Sequence, residues 1–340
     1  MVLRSRAPVR IDFAGGTTDL KVFRDREGGA VLSAAIARYA YCTLKPRDGS
    51  VRVESDDLQE YVEAAGIRDV EKQSSLRLLT LAVQRFGESD GIDVTVRTDA
   101  PPGSGTGSSA SVGVALLALL DRRQALLTGV KSRKSRYELA EMACAIEEEM
   151  GIIGGKQDQY AAAVGGLNYM EFHGDQVTVE RVEVSRGLVT DLEKHLVLCY
   201  SGQSRLSGDT NSKMIRAYEQ GDPVVGESLR TVKRVAQEAA RALRAEDVGR
   251  FAALLNEESE ARVRLAEGVL TPRMAEMVAA GKAAGALAAK ICGAGGGGCL
   301  LFYSAPDREG AVRRALESAG GRILDFTFDF GGLQVWSMEQ

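Results

Sequence analysis

A loop rich in glycine and serine spans residues 101–111 and has the composition of a phosphate-binding site. It reads Pro-Pro-Gly-Ser-Gly-Thr-Gly-Ser-Ser-Ala-Ser. The alternating run Ile92–Thr98 before it predicts a half-buried strand, and the apolar run Val112–Leu120 after it predicts a buried helix. Glycines let backbone N–H groups approach a ligand closely, and a helix N-terminus attracts anions. We expect this loop to hold phosphate groups and to offer hydroxyls to a metal ion, since a helix cap alone would need a single serine.

Two familiar nucleotide-binding motifs fit this loop poorly. A Walker A loop ends in Gly-Lys-Ser or Gly-Lys-Thr, whereas this one ends in Gly-Ser-Ser and has no lysine. A dinucleotide fingerprint can be placed on residues 105–110, but it should open a βαβ unit with an acidic residue about 20 residues further on. The segment 128–136 is basic and polar instead, and another helix is predicted after it. The loop therefore indicates a different class of phosphate site.

A second polar turn lies near the start of the chain, in the segment Arg10-Ile-Asp-Phe-Ala-Gly-Gly-Thr-Thr-Asp19. A strand is predicted to end in a Gly-Gly turn that presents Thr17, Thr18 and Asp19. Short polar groups on a tight turn suit a polyhydroxylated ligand, because each sugar hydroxyl needs a donor or an acceptor. The alternative is a hairpin turn that uses glycine, threonine and aspartate only for its geometry.

Glu147 and Asp158 have a spacing that could bring their carboxylates to one site. Glu147 stands at the end of a predicted helix, eleven residues before Asp158, which opens the next element. One carboxylate could hold Mg²⁺ while the other accepts a proton from a hydroxyl. The alternatives are a solvated helix face for at least one residue of 147–149, and an N-cap for Asp158.

A glycine run lies near the C-terminus, where five of the six residues from 293 to 298 are glycine. Glycine costs conformational entropy on folding, so such a run is unsuited to simple packing. It leads into the strand-like segment Cys299–Tyr303 and not into a helix, which argues against a dinucleotide site. The run predicts a close approach of backbone to a ligand or to the first half of the chain. A purely structural turn is the alternative.

Composition excludes several classes of protein. The 340 residues carry a formal net charge of −4, which argues against a nucleic-acid binder, and no apolar run approaches the ~20 residues of a membrane span. The five cysteines are odd in number and lie among apolar residues, so we expect buried free thiols in a reducing, cytoplasmic compartment. With two histidines in the chain, a Ser-His-Asp hydrolase is disfavoured.

The hydrophobic pattern predicts an α+β protein of two domains, residues 1–190 and 191–340. Strands are predicted around the turn in residues 1–45. Helices are predicted at 75–86, 108–127 and 136–150, a hairpin at 167–184, and a strand at 195–200. The pattern then favours helices from 211 to 289, with breaks near 221–223 and 268–272, followed by a strand at 299–303, a helix at 307–319 and strands at 322–328 and 333–337. The second half thus follows a β-ααα-β-α-β order, which suits an antiparallel sheet covered by helices.

The motifs at residues 7–20, 101–113 and 292–299 together resemble those of the GHMP kinase superfamily, which includes galactokinase, homoserine kinase and mevalonate kinase. The resemblance implies ATP-dependent phosphoryl transfer. It also implies an N-terminal α/β domain of ribosomal-S5-like type, a C-terminal ferredoxin-like α+β sandwich, and an active site in the cleft between them. Within the superfamily the chain is most similar to the D-glycero-D-manno-heptose 7-phosphate kinases, which phosphorylate the anomeric C1 hydroxyl.

The resemblance assigns roles by position. Asp158 matches the catalytic aspartate and Arg10 its basic partner. Ser109 matches the Mg²⁺-binding serine and Glu147 the metal-binding glutamate, with Glu148 as the alternative because the spacing to Asp158 is one residue shorter than in that subfamily. The run 293–298 would brace the ATP loop and the substrate. The expected ATP contacts are Pro102, Gly103, Ser104, Gly105, Thr106, Gly107, Ser108 and Ser109, and the expected sugar contacts are Asp19, Thr17, Thr18, Gly155, Gln157, Gly295 and Gly296.

The phosphate of a heptose 7-phosphate would need a basic partner, for which Arg205 is the first candidate and Lys156 the second. The alternative is that both are surface or interdomain charges. Thr17 and Lys156 depart from the subfamily, which usually has a glycine and an aromatic residue there. Other open functions are a fucokinase- or galactokinase-like kinase of a free sugar, a mevalonate-type kinase, an NAD-dependent oxidoreductase and a non-catalytic binding module. We expect a small-molecule substrate, no nucleic acid, no membrane, and a monomer or homodimer.

Overall fold

The structure is a computed structural model, and it describes residues 1–66, 69, 75–86, 91–130, 134–204 and 207–338. The strands are β1 (Val2–Ala14), β2 (Gly29–Pro46), β3 (Val51–Ser55), β4 (Glu60–Ala64), β5 (Ile92–Thr98), β6 (Leu167–His173), β7 (Gln176–Arg181), β8 (Leu196–Tyr200), β9 (Ala286–Ile291), β10 (Cys299–Ser304), β11 (Arg322–Ile323) and β12 (Gln334–Met338). The helices are α1 (Lys21–Glu27), α2 (Arg77–Arg85), α3 (Ser108–Thr128), α4 (Arg136–Glu149), α5 (Gln157–Val164), α6 (Arg186–His195), α7 (Ser207–Glu219), α8 (Pro223–Arg244), α9 (Val248–Val263), α10 (Pro272–Ala283) and α11 (Glu309–Ser318).

The larger sheet has eight strands, in the order β12-β1-β2-β5-β3-β4, with the hairpin β6–β7 attached to β2. Its pairs are antiparallel except β3–β5, which is parallel. The strand β5 alternates buried Ile92, Val94 and Val96 with more exposed polar residues, as a sheet covered on one face requires. Helix α3 packs against β1 and β2, and most of its residues from 110 to 120 are buried. This packing fixes the start of α3, and with it the phosphate loop, at one edge of the sheet.

The smaller sheet has the order β11-β8-β10-β9 and is antiparallel throughout. One face packs on α10 and α11 through Met274, Met277 and Leu316. The other face shares a core with α8, α9 and the strands β1 and β2, in which Phe13 meets Phe251 edge-on at 5.3 Å. The two halves of the chain are therefore joined by a common apolar core.

Most predicted elements are confirmed, including the strand over 92–98, the helices at α3 and α4, the hairpin β6–β7 and the antiparallel second sheet. The five cysteines are free and buried, as expected. In the described part of the chain, no helix is both long and apolar enough to cross a bilayer. The division into domains 1–190 and 191–340 stays a prediction.

Several assignments were wrong. The prediction missed α1 (Lys21–Glu27), β3, β4 and α6, and the strand that it placed at 322–328 covers only Arg322–Ile323. The helical pattern does not extend to residue 289, because Ala286–Ile291 forms β9 beside β10. Alanine favours helix, but tertiary packing overrides that weak preference. The strand near the C-terminus pairs with β1 in the first sheet and not with the second sheet. The observed order of the second sheet's region is therefore β8-α7-α8-α9-α10-β9-β10-α11-β11.

Candidate active site

The phosphate loop lies where the start of α3 meets the start of α5. Gly107 caps α3 in the left-handed region, at φ 76°, and a Cβ there would stand 3.1 Å from the carboxylate carbon of Asp158. Any larger residue would crowd that carboxylate, so glycine at this position lets the loop backbone approach Asp158 closely. The hydroxyls of Ser104 and Thr106 are buried and bond each other at 2.7 Å. This bond between two side chains stabilises the loop.

Asp158 and Arg10 form an ion pair beside this loop. The Nε and Nη2 atoms of Arg10 lie 2.7 and 2.6 Å from Oδ1 of Asp158. A further nitrogen, Nη1, donates to the carbonyl of Gly105 at 2.6 Å. Burial disfavours the guanidinium charge, but the carboxylates of Asp158 and Asp12 outweigh it, and the pKa of Arg10 is raised. Arg10 is thus a permanent cation that links the carboxylate of Asp158 to the phosphate loop.

Ser109 and Glu147 also meet at this point. The hydroxyl of Ser109 donates to Oε1 of Glu147 at 3.1 Å, and the amide of Gln159 donates to Oε2 at 2.7 Å. Burial, followed by the charge of Asp158, raises the pKa of Glu147 to about 7. Glu148 is exposed, so the structure favours Glu147 of the two candidates.

This group fits a divalent cation that also binds nucleotide phosphate. Hydroxyl and carboxylate oxygens are hard ligands, and Mg²⁺ commonly uses one or two carboxylates together with substrate phosphates. Within the described ranges, no cluster of three or more His, Cys, Asp or Glu residues could hold a metal by itself. In the same ranges, the hydroxyl of Ser108 is buried without a hydrogen-bond partner. Ser109 and Glu147 could therefore hold the ion only in part, and a bound nucleotide would complete its ligands.

The turn of residues 15–19 places Asp19 against the start of α5. Its Oδ2 accepts the backbone N–H of Gln157 at 3.0 Å, and a Cβ on Gly155 would stand 1.8 Å from the same oxygen. Asp19 thereby supplies the cap for α5 from a distant part of the chain. Asp158 is not the N-cap of α5, which removes the structural alternative for it. Burial, with Asp158 and Asp12 nearby, raises the pKa of Asp19.

The hydroxyls of the two threonines of this turn have different hydrogen-bond partners. The hydroxyl of Thr18 donates to the carbonyl of Gly15 at 2.7 Å and accepts the N–H of Ala30 at 3.0 Å, and the residue is fully buried. Its predicted contact with substrate is therefore not supported, because the backbone uses its hydrogen bonds. Thr17 has a positive φ of 77°, and its hydroxyl donates to the carbonyl of Gly16. The substrate contact of Thr17 stays a prediction.

The glycine run lies against the phosphate loop, since a Cβ on Gly298 would stand 2.7 Å from the carbonyl oxygen of Ser104. The N–H of Cys299 donates to the carbonyl of Ser104 at 2.8 Å, and the N–H of Gly298 donates to the carbonyl of Gln203 at 2.8 Å. Gly296 donates to the carbonyl of Val269 at 2.8 Å. The proposed sugar contacts of Gly295 and Gly296 stay predictions.

The two basic residues expected to bind a substrate phosphate have different outcomes. Arg205 lies outside the described residues. Lys156 is buried, and its ammonium bonds Glu141 at 2.8 Å and the carbonyl of Asp175 at 3.2 Å. Its charge is therefore neutralised inside the N-terminal half, and the expected phosphate contact of Lys156 is not supported.

Sequence reasoning missed two buried polar residues, Gln159 and Asn211. The side chain of Asn211, on α7, donates to the carbonyl of Ile153 at 3.0 Å. Among the residues that the structure covers, the amide oxygens of Gln157, Gln159 and Asn211 are buried without hydrogen-bond partners. Buried acceptors of this kind normally find a partner, so they suit a hydroxyl-rich ligand. Gln157 was already predicted as a sugar contact, and Gln159, on the other side of Asp158 in sequence, could have been noticed, whereas no pattern marks Asn211.

Comparisons with known proteins agree with this geometry. Residues 74–166 match the GHMP kinase N-terminal domain and residues 239–322 the GHMP kinase C-terminal domain. A D-glycero-alpha-D-manno-heptose 7-phosphate kinase of Campylobacter jejuni is 29% identical, with 98% of each chain covered. A mevalonate kinase of Thermococcus sibiricus is 26% identical over 92% of this chain and 94% of its own. The crystal structure of a D-glycero-D-manno-heptose 1-phosphate kinase from Bacteriodes thetaiotaomicron is 30% identical, with a TM-score of 0.80 over 99% of this chain and 100% of its own.

These matches span both halves of the chain and all of its motifs. The chain belongs to the GHMP kinases. Enzymes of this family use ATP as the phosphate donor, so the predictions of an ATP-dependent phosphotransferase and of the two-domain GHMP kinase fold are confirmed.

Proposed function

We propose that this kinase transfers the γ-phosphoryl group of ATP to the anomeric C1 hydroxyl of D-glycero-D-manno-heptose 7-phosphate. The observation that carries the proposal is the placement of the Asp158–Arg10 pair between the phosphate loop and the turn that holds Asp19. The relative from Campylobacter jejuni is named for the same acceptor. The name of the crystallised relative puts the phosphate of its acceptor at position 1, so the position must be tested.

The proposed mechanism assigns one task to each group. Backbone N–H groups of the phosphate loop and the N-terminus of α3 bind the ATP phosphates. Asp158 accepts the proton of the sugar hydroxyl or orients it for attack, and Arg10 fixes the carboxylate and faces the charge that builds up on the transferring group. Asp19 and Gln157 bind sugar hydroxyls. Mg²⁺, held by Ser109 and Glu147, would supply charge neutralisation at the phosphates.

The proposal also covers the compartment, the partners and the oligomeric state of the enzyme. The buried free cysteines support a reducing compartment such as the cytoplasm. The partners are small molecules, ATP and a sugar phosphate, and the enzyme acts as a monomer or a homodimer.

A panel of acceptors tests this function. The enzyme is incubated with ATP and Mg²⁺ and, in separate reactions, with heptose 7-phosphate, heptose 1-phosphate, free heptose, fucose, galactose and mevalonate. We expect turnover of heptose 7-phosphate, with ³¹P NMR showing a new phosphate coupled to the anomeric proton. Equal turnover of free heptose would show that the phosphate is not recognised. Preference for mevalonate or for heptose 1-phosphate would refute the proposed acceptor.

A further inference from the structure

Four charged side chains are fully buried between the two halves of the chain. Asp12 lies on β1, Glu258 and Arg262 on α9, and Lys290 on β9, and each is 0% exposed. The ammonium of Lys290 stands 3.4 Å from Asp12 and 3.6 Å from Glu258. The guanidinium of Arg262 stands 3.6 Å from Asp12, and its Nε donates to Glu258 at 2.9 Å. Two acids and two bases thus form a network without net charge.

Arg262 differs from the other three because it reaches both ligand-facing loops. Its Nη2 donates to the carbonyl of Gly16 at 2.8 Å, and its Nη1 donates to the carbonyl of Gly293 at 2.9 Å. Gly16 belongs to the turn that carries Asp19, and Gly293 opens the run that lies against the phosphate loop, since a Cβ on Gly293 would stand 3.0 Å from the carbonyl oxygen of Gly105. Among the described contacts, Lys290 bonds Asp12, Glu258 and its neighbour's carbonyl at Ile291, and none of these lies on either loop.

Stability alone is a poor account of this network. Burying charges costs several kcal/mol per ion in desolvation, and well-packed apolar residues are often equally stable in their place. A guanidinium offers a rigid planar fork of donors, which suits two carbonyls held at a fixed separation. Asp12 lies directly beneath the turn, since a Cβ on Gly16 would stand 2.1 Å from its Oδ2. Packing does not require that the single guanidinium of Arg262 donates to a carbonyl in each of two loops, at Gly16 and at Gly293.

We propose that Arg262 is a positioning residue that sets the acceptor-side turn and the nucleotide-side glycine run in register with each other. Asp12 and Glu258 face the guanidinium, and Lys290 completes the charge balance of the network. The inference rests on the proposed function in that it takes these two loops as the sites of sugar and nucleotide. Arg262 touches neither substrate and acts through the backbone of residues 16 and 293. Small displacements of this kind can cost ~100-fold in rate even when they begin far from the reacting atoms.

Two double variants separate positioning from stability. E258Q/K290M and E258Q/R262M each remove one buried acid and one buried base, and each leaves one balanced ion pair with Asp12. The first keeps the donor to both carbonyls, and the second removes it. Thermal unfolding is measured for both, together with the affinity for a non-hydrolysable ATP analogue by calorimetry and the KM for the acceptor that the wild type uses.

We expect E258Q/K290M to keep both constants within about threefold of the wild type. E258Q/R262M should weaken analogue binding and raise the acceptor KM together, each by at least ~10-fold, which corresponds to ~1.4 kcal/mol. Equal effects of the two variants on these constants would overturn the proposal and leave a role in stability only. If E258Q/R262M does not fold, R262K replaces it, because lysine keeps the charge but lacks the fork. Wild-type analogue affinity in R262K would then overturn the proposal. If the wild type uses no sugar, the proposed function fails, and the calorimetric comparison still tests Arg262.

Discussion

Replacing Asp158 by asparagine removes the proposed proton acceptor and keeps its shape. The carboxylate accepts from Arg10 at 2.7 Å, and the amide oxygen of asparagine can accept the same bond. Asp158 is 28% exposed at its side chain, so water screens the lost charge and we expect only ~1 kcal/mol of lost stability. The buried guanidinium of Arg10 keeps the carbonyl of Gly105 as a second partner. The variant should therefore fold and bind ATP.

The loss in rate should be much larger than the loss in stability. Positioned acid–base groups contribute ~10²–10⁴-fold, so kcat should fall by that factor, or by ~3–5 kcal/mol in activation free energy. Steady-state kinetics with saturating ATP measures this, and calorimetry with an ATP analogue checks binding. Asp175→Asn is the matched control, because this acid also lies near an arginine, Arg24, but is 82% exposed at its side chain. A D158N enzyme with near-normal kcat would refute the assignment of Asp158, and a loss of ATP binding equal to the loss of rate would refute the division of roles.

The further predictions concern the metal, the pH, the acceptor and the pair of Lys156 with Glu141. Ser109→Ala should raise the Mg²⁺ concentration for half-maximal rate, since a hard cation loses an oxygen ligand; an unchanged requirement would place the ion elsewhere. Because the pKa of Glu147 is raised to about 7, Mg²⁺ should bind more weakly as the pH falls below about 7, and Glu147→Gln should abolish that pH dependence. The raised pKa also means that the folded state keeps the proton of Glu147 at a pH where the unfolded chain has lost it. The free energy of unfolding of the metal-free enzyme should therefore fall as the pH rises from the ordinary glutamate pKa toward 7. A melting series without metal should show a smaller fall of the melting temperature with pH in Glu147→Gln. Asp19→Asn should raise the acceptor KM and leave ATP binding unchanged, and a selective change in ATP binding would contradict it. Lys156→Met should lower the melting temperature by breaking the pair with Glu141, yet leave the KM for a sugar phosphate unchanged; a raised KM would restore Lys156 as a phosphate ligand.

The parts of the site that local sequence determines were predictable. The phosphate loop needs glycines, serines and the start of a helix in one short segment, and all of these are adjacent in the chain. The meeting of Ser109 with Glu147 was expected only from the family resemblance, which assigns both residues to the metal, because they lie 38 residues apart in the chain. The strand β5 was predictable from its alternation alone. Where one segment contains both the signal and the structure, sequence reasoning succeeded.

Elements whose form depends on distant partners were harder to predict. The segment that forms β9 is rich in alanine and reads as helix, yet β10 offers it an open edge to pair with. Thr18 looks like a ligand in sequence, but the carbonyl and N–H of Ala30 occupy its hydroxyl. Lys156 is next to Gln157 and close to Asp158 in sequence, but its ammonium bonds Glu141, one helix earlier. In each case the sequence shows the chemistry of a side chain but not the partner that uses it.

The buried network takes this reasoning one step further. A lysine at 290 in an otherwise apolar strand is a signal that a charge is buried, because burial without a partner would cost too much free energy. The sequence thus indicates that an acid must be near, but it does not show which one. Only the fold shows that α9 brings Glu258 and Arg262 to the same point, and that the guanidinium then has donors left for the carbonyls of Gly16 and Gly293. A charged residue in an apolar run is therefore a reason to look for a buried network of charges. Hydrogen-bond donors of that network that are not used by its own acids then indicate which parts of the chain it positions.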